Sequence, residues 1–178
     1  MTAAPEIVLD GPAIAATLDQ MALAIATKFK PSTPVALVGI RRGGVPLAEA
    51  LGARLSAQHR RNVLRGAVDI TLYRDDAATA LPNPLIGRSD IAFELAERVI
   101  VLVDDVLYTG RTVRAALDAL LDYGRPKAVS LAVLIDRGHR ELPIAADFIG
   151  LSLDTEADAR VEVVMGPEGP ERVELRRR

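Results

Sequence analysis

A chain of 178 residues with net charge −2, from 22 basic and 24 acidic side chains, is the size of one α/β domain and has no global excess of positive charge to mark a nucleic-acid partner. It has no cysteine, which excludes disulfides and thiolate metal sites. No apolar run approaches the ~20 residues of a membrane span, and the N-terminal residues lack the basic-then-apolar pattern of a secretory signal, so a cytoplasmic protein is expected.

Residues 14–30 are rich in Ala, Leu and Met at helical spacing, and Pro31 and Pro34 end that helix. "VALVGI" (35–40) is a short, wholly apolar run, the pattern of a strand covered on both faces. Arg41, Arg42, Gly43 and Gly44 break it, and 45–59 reads as a helix with Pro46 in its first turn. A longer strand is expected over 63–74. Residues 75–90 hold Pro82, Asn83, Pro84 and Gly87 without periodicity and read as a long loop, a common form for an active-site lid. A third buried strand is expected over 98–103 and its helix over 112–123, closed by Gly124 and Pro126. "AVSLAVLI" (128–135) and "ADFIG" (146–150) are a fourth and a fifth strand. "RVEVVM" and "ERVELR" flank "GPEGP" and predict a C-terminal β-hairpin.

Strands alternating with helices argue a mainly parallel, twisted sheet with helices on both faces. There is no repeat and no linker, so residues 1–178 read as a single domain. Ligands of such folds bind beyond the carboxyl ends of the strands. Three strands end there in chemically informative residues: Arg41-Arg42-Gly43-Gly44, Asp104-Asp105, and Asp136-Arg137-Gly138-His139-Arg140.

The stretch "VIVLVDDVLYTGRT" (99–112) is the most specific. Tyr108, Thr109, Gly110, Arg111 and Thr112 join a strand to a helix, whose N-terminus offers unpaired N–H groups and a positive dipole end. Gly110 permits a tight turn, and the threonines add hydroxyls. Such a cup suits a phosphate monoester; alone, Thr109 or Thr112 could simply cap the helix. Asp104 and Asp105, one short loop away, could accept hydrogen bonds from ribose hydroxyls, directly or through Mg²⁺. Phosphate and diol together describe a ribose 5-phosphate. There is no Gly-x-x-x-x-Gly-Lys-[Ser/Thr] and no Gly-x-Gly-x-x-Gly after a strand, and no Lys follows Lys127 to complete a receiver-domain site.

"VDDVLYTGRT" resembles the 5-phosphoribosyl 1-diphosphate (PRPP) motif of type I phosphoribosyltransferases. "DITLYRDD" (69–76) and "DRGHRELPIAADFIG" (136–150) are similar to the bifunctional pyrimidine operon attenuation regulators and uracil phosphoribosyltransferases, and the similarity runs from about Ile7 to the tail. The resemblance implies the type I phosphoribosyltransferase fold with a small hood. It implies conversion of uracil and PRPP to UMP and diphosphate with Mg²⁺, binding of pyrimidine operon leader mRNA in response to UMP or UTP, and a homodimer or higher oligomer. It places Asp104 and Asp105 on the ribose, with Mg²⁺ held through PRPP and the two acids. Tyr108 to Thr112 fall on the 5-phosphate. Arg41, Arg42, Gly43, Gly44 and Arg74 fall on the diphosphate, although "RRGG" also reads as a plain strand-to-helix turn. Asp136, Arg137, Gly138, His139 and Arg140 fall beside the base, where His139 also reads as a structural loop residue.

Two departures stand out. The family usually has Arg where this chain has Gly43. On the first helix, Ala15, Ala16, Asp19, Gln20 and Leu23 replace basic and hydroxyl residues that face RNA in relatives, as do Ala145 and Leu151 further on. Arg137, Arg140 and a cluster of Arg60, Arg61 and Arg65 are the remaining candidates for RNA contact. An enzyme and an RNA-binding attenuator using the same pocket as a nucleotide sensor are the two readings to separate.

Overall fold

The computed structural model describes residues 4–75 and 89–177. A short strand β1 (Glu6–Leu9) precedes helix α1 (Gly11–Lys28). The helix starts earlier than its apolar periodicity suggests, because the Asp10 carboxylate accepts the Ala13 N–H at 2.9 Å and Pro12 occupies the first turn. Then follow β2 (Val35–Ile40), α2 (Gly44–His59), β3 (Leu64–Val68), β4 (Val99–Leu107), α3 (Arg111–Leu121), β5 (Ala128–Asp136), β6 (Phe148–Ser152), β7 (Arg160–Gly166) and β8 (Gly169–Arg176).

Five strands form a parallel sheet in the order β3-β2-β4-β5-β6. Alternate residues of β2 and β4 feed two cores. Leu37, Val101 and Val103 pack under α1 and α2 with Leu18, Ile25, Leu51 and Leu55. Val38, Ile100 and Leu102 pack under α3 with Val113, Ala116 and Leu120. Every residue of β2 is buried, as expected of a strand covered on both faces. The C-terminal hairpin forms as predicted, but its β8 also pairs with β1, which the sequence reading did not foresee, giving a separate antiparallel sheet β1-β8-β7. No helix among the described residues is long and apolar enough to cross a membrane.

Two strand boundaries differ from the sequence reading in ways that matter. The strand expected over 63–74 stops at Val68. Asp69 diverts the backbone: its N–H donates to Ser89 Oγ and its carboxylate accepts the Thr71 N–H, each at 2.9 Å. Conversely, the strand expected over 98–103 continues to Leu107, so the two acids lie inside β4 rather than beyond it. Its pairing with β2 ends at Gly39–Val103, while pairing with β5 continues to Leu107–Asp136. β4 therefore overhangs β2, with Asp104 and Asp105 on the overhang. Of the proposed lid loop, residues 76–88 lie outside the described residues.

Candidate active site

The chain continues to one side of the sheet after β2 and to the other after β4, so the sheet order reverses between these adjacent strands. Loops leaving their carboxyl ends separate there and open a crevice, the usual ligand position in such sheets. The "RRGG" turn packs against the acid pair at its mouth. A Cβ on Gly43 would sit 2.2 Å from Asp105 Oδ2, and one on Gly44 2.0 Å from the Val103 carbonyl. The turn thus lies directly on β4. A side chain at position 43 fits only if Asp105 moves. Arg41 and Arg42 are exposed at the rim.

Asp104 is 6% exposed. Its Oδ1 accepts the Asp105 N–H at 3.0 Å, and Asp105 Oδ1 accepts the Val106 N–H at 2.8 Å. Burial, and then the neighbouring Asp105 charge, push the Asp104 carboxyl well above the usual carboxylate range. Two carboxylates held this way favour a partner that donates hydrogen bonds or carries positive charge.

Beyond the pair, the chain turns through Gly110 at φ 91° into α3, which has no side-chain cap. The Thr109 hydroxyl accepts the Arg111 N–H at 3.3 Å, and Thr112 is exposed on the first turn. The Arg111 side chain pairs with Glu141 at 2.7 Å and with Asp75 at 2.8 Å. Arg114 also holds Asp75, at 2.7 Å. Arg74, the residue expected at the diphosphate, is exposed beside Asp75 at the root of the loop expected to act as a lid.

The Asp136–Arg140 segment leaves the end of β5, and its side chains contact the protein itself. Asp136 accepts the Gly138 N–H at 3.0 Å and pairs with Arg140 at 2.5 Å. Arg137 is buried, lies 4.1 Å over the Tyr108 ring and donates to the Glu156 carbonyl at 3.0 Å. His139, at φ 58°, sets its Nε2 2.5 Å from the Thr155 carbonyl. These contacts favour the structural reading of His139. They also bring in residues 155–157, which the sequence reading missed: Tyr108 Oη reaches the Ala157 carbonyl at 3.2 Å. No motif marks "TEA"; only the β6–β7 connection carries it here.

The sequence matches the phosphoribosyl transferase domain over residues 6–166. The chain belongs to the phosphoribosyltransferase family. This phosphoribosyltransferase is 47% identical to the bifunctional protein PyrR of Deinococcus radiodurans over 98% of this chain and 96% of that one. It is 53% identical to the PyrR of a Roseiflexus species over 86% and 84% of the two chains. Among solved structures, a hypoxanthine phosphoribosyltransferase from Staphylococcus aureus superposes with a TM-score of 0.67 at 18% identity, covering 83% of this chain and 77% of that one. One from Trypanosoma cruzi also gives 0.67 at 18% identity, covering 86% and 78%. That likeness shows the type I phosphoribosyltransferase fold.

The positions expected to bear on RNA also take their place. Asp19 is not a bare anion: it accepts from Arg54 at 2.8 Å and Gln58 at 3.0 Å, tying α1 to α2. The alternative basic patch is largely spent. Arg61 donates to the carbonyls of Phe29, Lys30 and Thr33, and Arg65 pairs with Glu49 at 3.3 Å.

Proposed function

We propose that this chain transfers the phosphoribosyl group of PRPP to uracil, releasing diphosphate and forming UMP, and that it regulates a pyrimidine operon by binding its leader mRNA when UMP or UTP is bound. We read residues 1–178 as one such unit, cytoplasmic and assembled as a homodimer or larger. The carrying observation is the order of parts along one crevice: an acid pair on the β4 overhang, an uncapped helix start one turn later, and a glycine turn pressed against the pair.

As diphosphate leaves C1, positive charge grows on the ribose ring and negative charge on the leaving group. Catalysis is then positioning and electrostatics, with no covalent nucleophile required. Asp104 and Asp105 hold the ribose hydroxyls and complement the cationic ring. The N–H groups and hydroxyls of residues 109–112 hold the 5-phosphate. Arg41 and Arg42, the backbone of Gly43 and Gly44, and Arg74 receive the diphosphate. Backbone groups of residues 137–139 meet the donor–acceptor edge of uracil.

The two adjacent carboxylates suit Mg²⁺, which commonly takes one or two carboxylates and completes its shell with substrate phosphates and water. Asp104 and Asp105 would hold it beside the ribose, and it would supply neutralisation of the diphosphate. The test is UMP formation from uracil and PRPP with Mg²⁺. No turnover by folded protein rejects the enzyme reading, and filter binding of leader RNA with and without UMP tests the regulator.

A further inference from the structure

Three successive carbonyls lead into the phosphate cup, and all three are drawn to one side. The Leu107 carbonyl accepts the Arg137 N–H at 3.1 Å. The Tyr108 carbonyl accepts Arg140 Nη1 at 2.6 Å. The Thr109 carbonyl accepts the N–H groups of Glu141 at 3.0 Å and Leu142 at 3.2 Å. In a trans peptide the carbonyl and the following N–H point in opposite directions. Holding these carbonyls toward residues 137–142 therefore aims the N–H groups of Tyr108, Thr109 and Gly110 away from that segment.

Only the Tyr108 carbonyl is held by a side chain alone; Arg140 Nη1 also reaches the Leu107 carbonyl, at 3.5 Å, beside the Arg137 N–H. Arg140 has no donor nitrogen to spare: Nε reaches the Ile144 carbonyl at 3.0 Å, Nη1 also reaches Gly138 at 3.0 Å, and Nη2 forks the Asp136 carboxylate at 2.5 Å to each oxygen. A guanidinium so committed has nothing to offer a base or an RNA phosphate.

We propose that Arg140 is a positioning residue for the phosphate-binding loop: it fixes the Tyr108–Thr109 peptide so that the Thr109 N–H faces the 5-phosphate. The inference rests on reading residues 109–112 as the phosphate site.

The test compares wild type with Arg140→Met and Arg140→Lys, using ribose 5-phosphate as a binding probe alongside steady-state kinetics. Arg140→Met is expected to weaken ribose 5-phosphate and raise the KM for PRPP about ten- to a hundredfold, the scale of a misplaced contact, with a smaller rise in the KM for uracil, because the same guanidinium also holds the Gly138 carbonyl. Arg140→Lys is expected to recover only part, because one ammonium cannot fork Asp136 and also hold the Tyr108 carbonyl. Asp136→Asn, which loosens the pair without emptying its space, is expected to shift the same constants in the same direction by less, and it serves if the Met variant does not fold. Unchanged ribose 5-phosphate affinity in folded variants overturns the proposal, as does a rise confined to the KM for uracil. Wild type that binds ribose 5-phosphate but makes no UMP would overturn the uracil reading alone.

Discussion

Asp104 and Asp105 are adjacent, yet they occupy different surroundings, and the two predicted variants separate them. Asp105 is half-buried and faces the "RRGG" turn. Asp105→Asn keeps the size and removes the charge, so UMP should still bind while turnover of PRPP falls on the order of 10²–10³-fold; a uracil assay measures it. Asp104 is the buried member, and burial first, then Asp105, raises its pKa. The folded chain therefore holds more protons than the unfolded one between the unfolded value of about 3.9 and the raised folded value. Stability of the ligand-free protein should fall as pH rises through that window and level off above it. Asp104→Asn should flatten this dependence and raise the Tm at neutral pH by about 2–4 °C, the shift that ~1 kcal/mol makes in a chain this size. Thermal melts across pH check it, and the same variant should lose activity, since a site that repels itself when empty is built for a ligand.

At the scale of elements, α1 decides how much regulator remains. Its outer face carries Ala16, Gln20 and an exposed Leu23, and its one acid is paired with Arg54. RNA affinity depends on Lys and Arg at phosphates, with log affinity falling by ~0.7 per contact per decade of salt for single strands. UMP-dependent binding of leader RNA should therefore be weaker than nanomolar at physiological salt, with a log–log salt slope shallower than about −2, three contacts' worth. Asp19→Arg should tighten it. Nanomolar binding that Asp19→Arg leaves unchanged would mean that RNA uses another face. The β4 overhang shows why element boundaries carried the site. Five apolar residues announced the buried strand, but hydropathy had to end it at Asp104 because the next residues are acids. Its true end is set by pairing with β5, which no local pattern reports.

For the whole molecule, a ligand spanning the crevice binds the folded chain only. UMP at a hundredfold excess over its Kd should add about 2.7 kcal/mol and move the Tm up by several degrees; differential scanning with and without UMP reads it directly. Apolar runs alternating with helices were enough to reveal a parallel sheet covered on both faces, because burial on two sides leaves no polar position in a strand. The acid pair, Gly110 and the threonines could be picked out by residue type at close spacing because they are chain neighbours, and the structure sets them on the β4 overhang and at the start of α3. Tertiary structure decided the rest. It placed Gly43 against Asp105 from 62 residues away in the chain, turned Arg111 aside to Asp75 and Glu141, and spent Arg137, His139 and Arg140 on carbonyls and carboxylates of the protein itself. A side chain's chemistry is written in the sequence, but the partner that uses it is set by which distant segments the sheet order brings together.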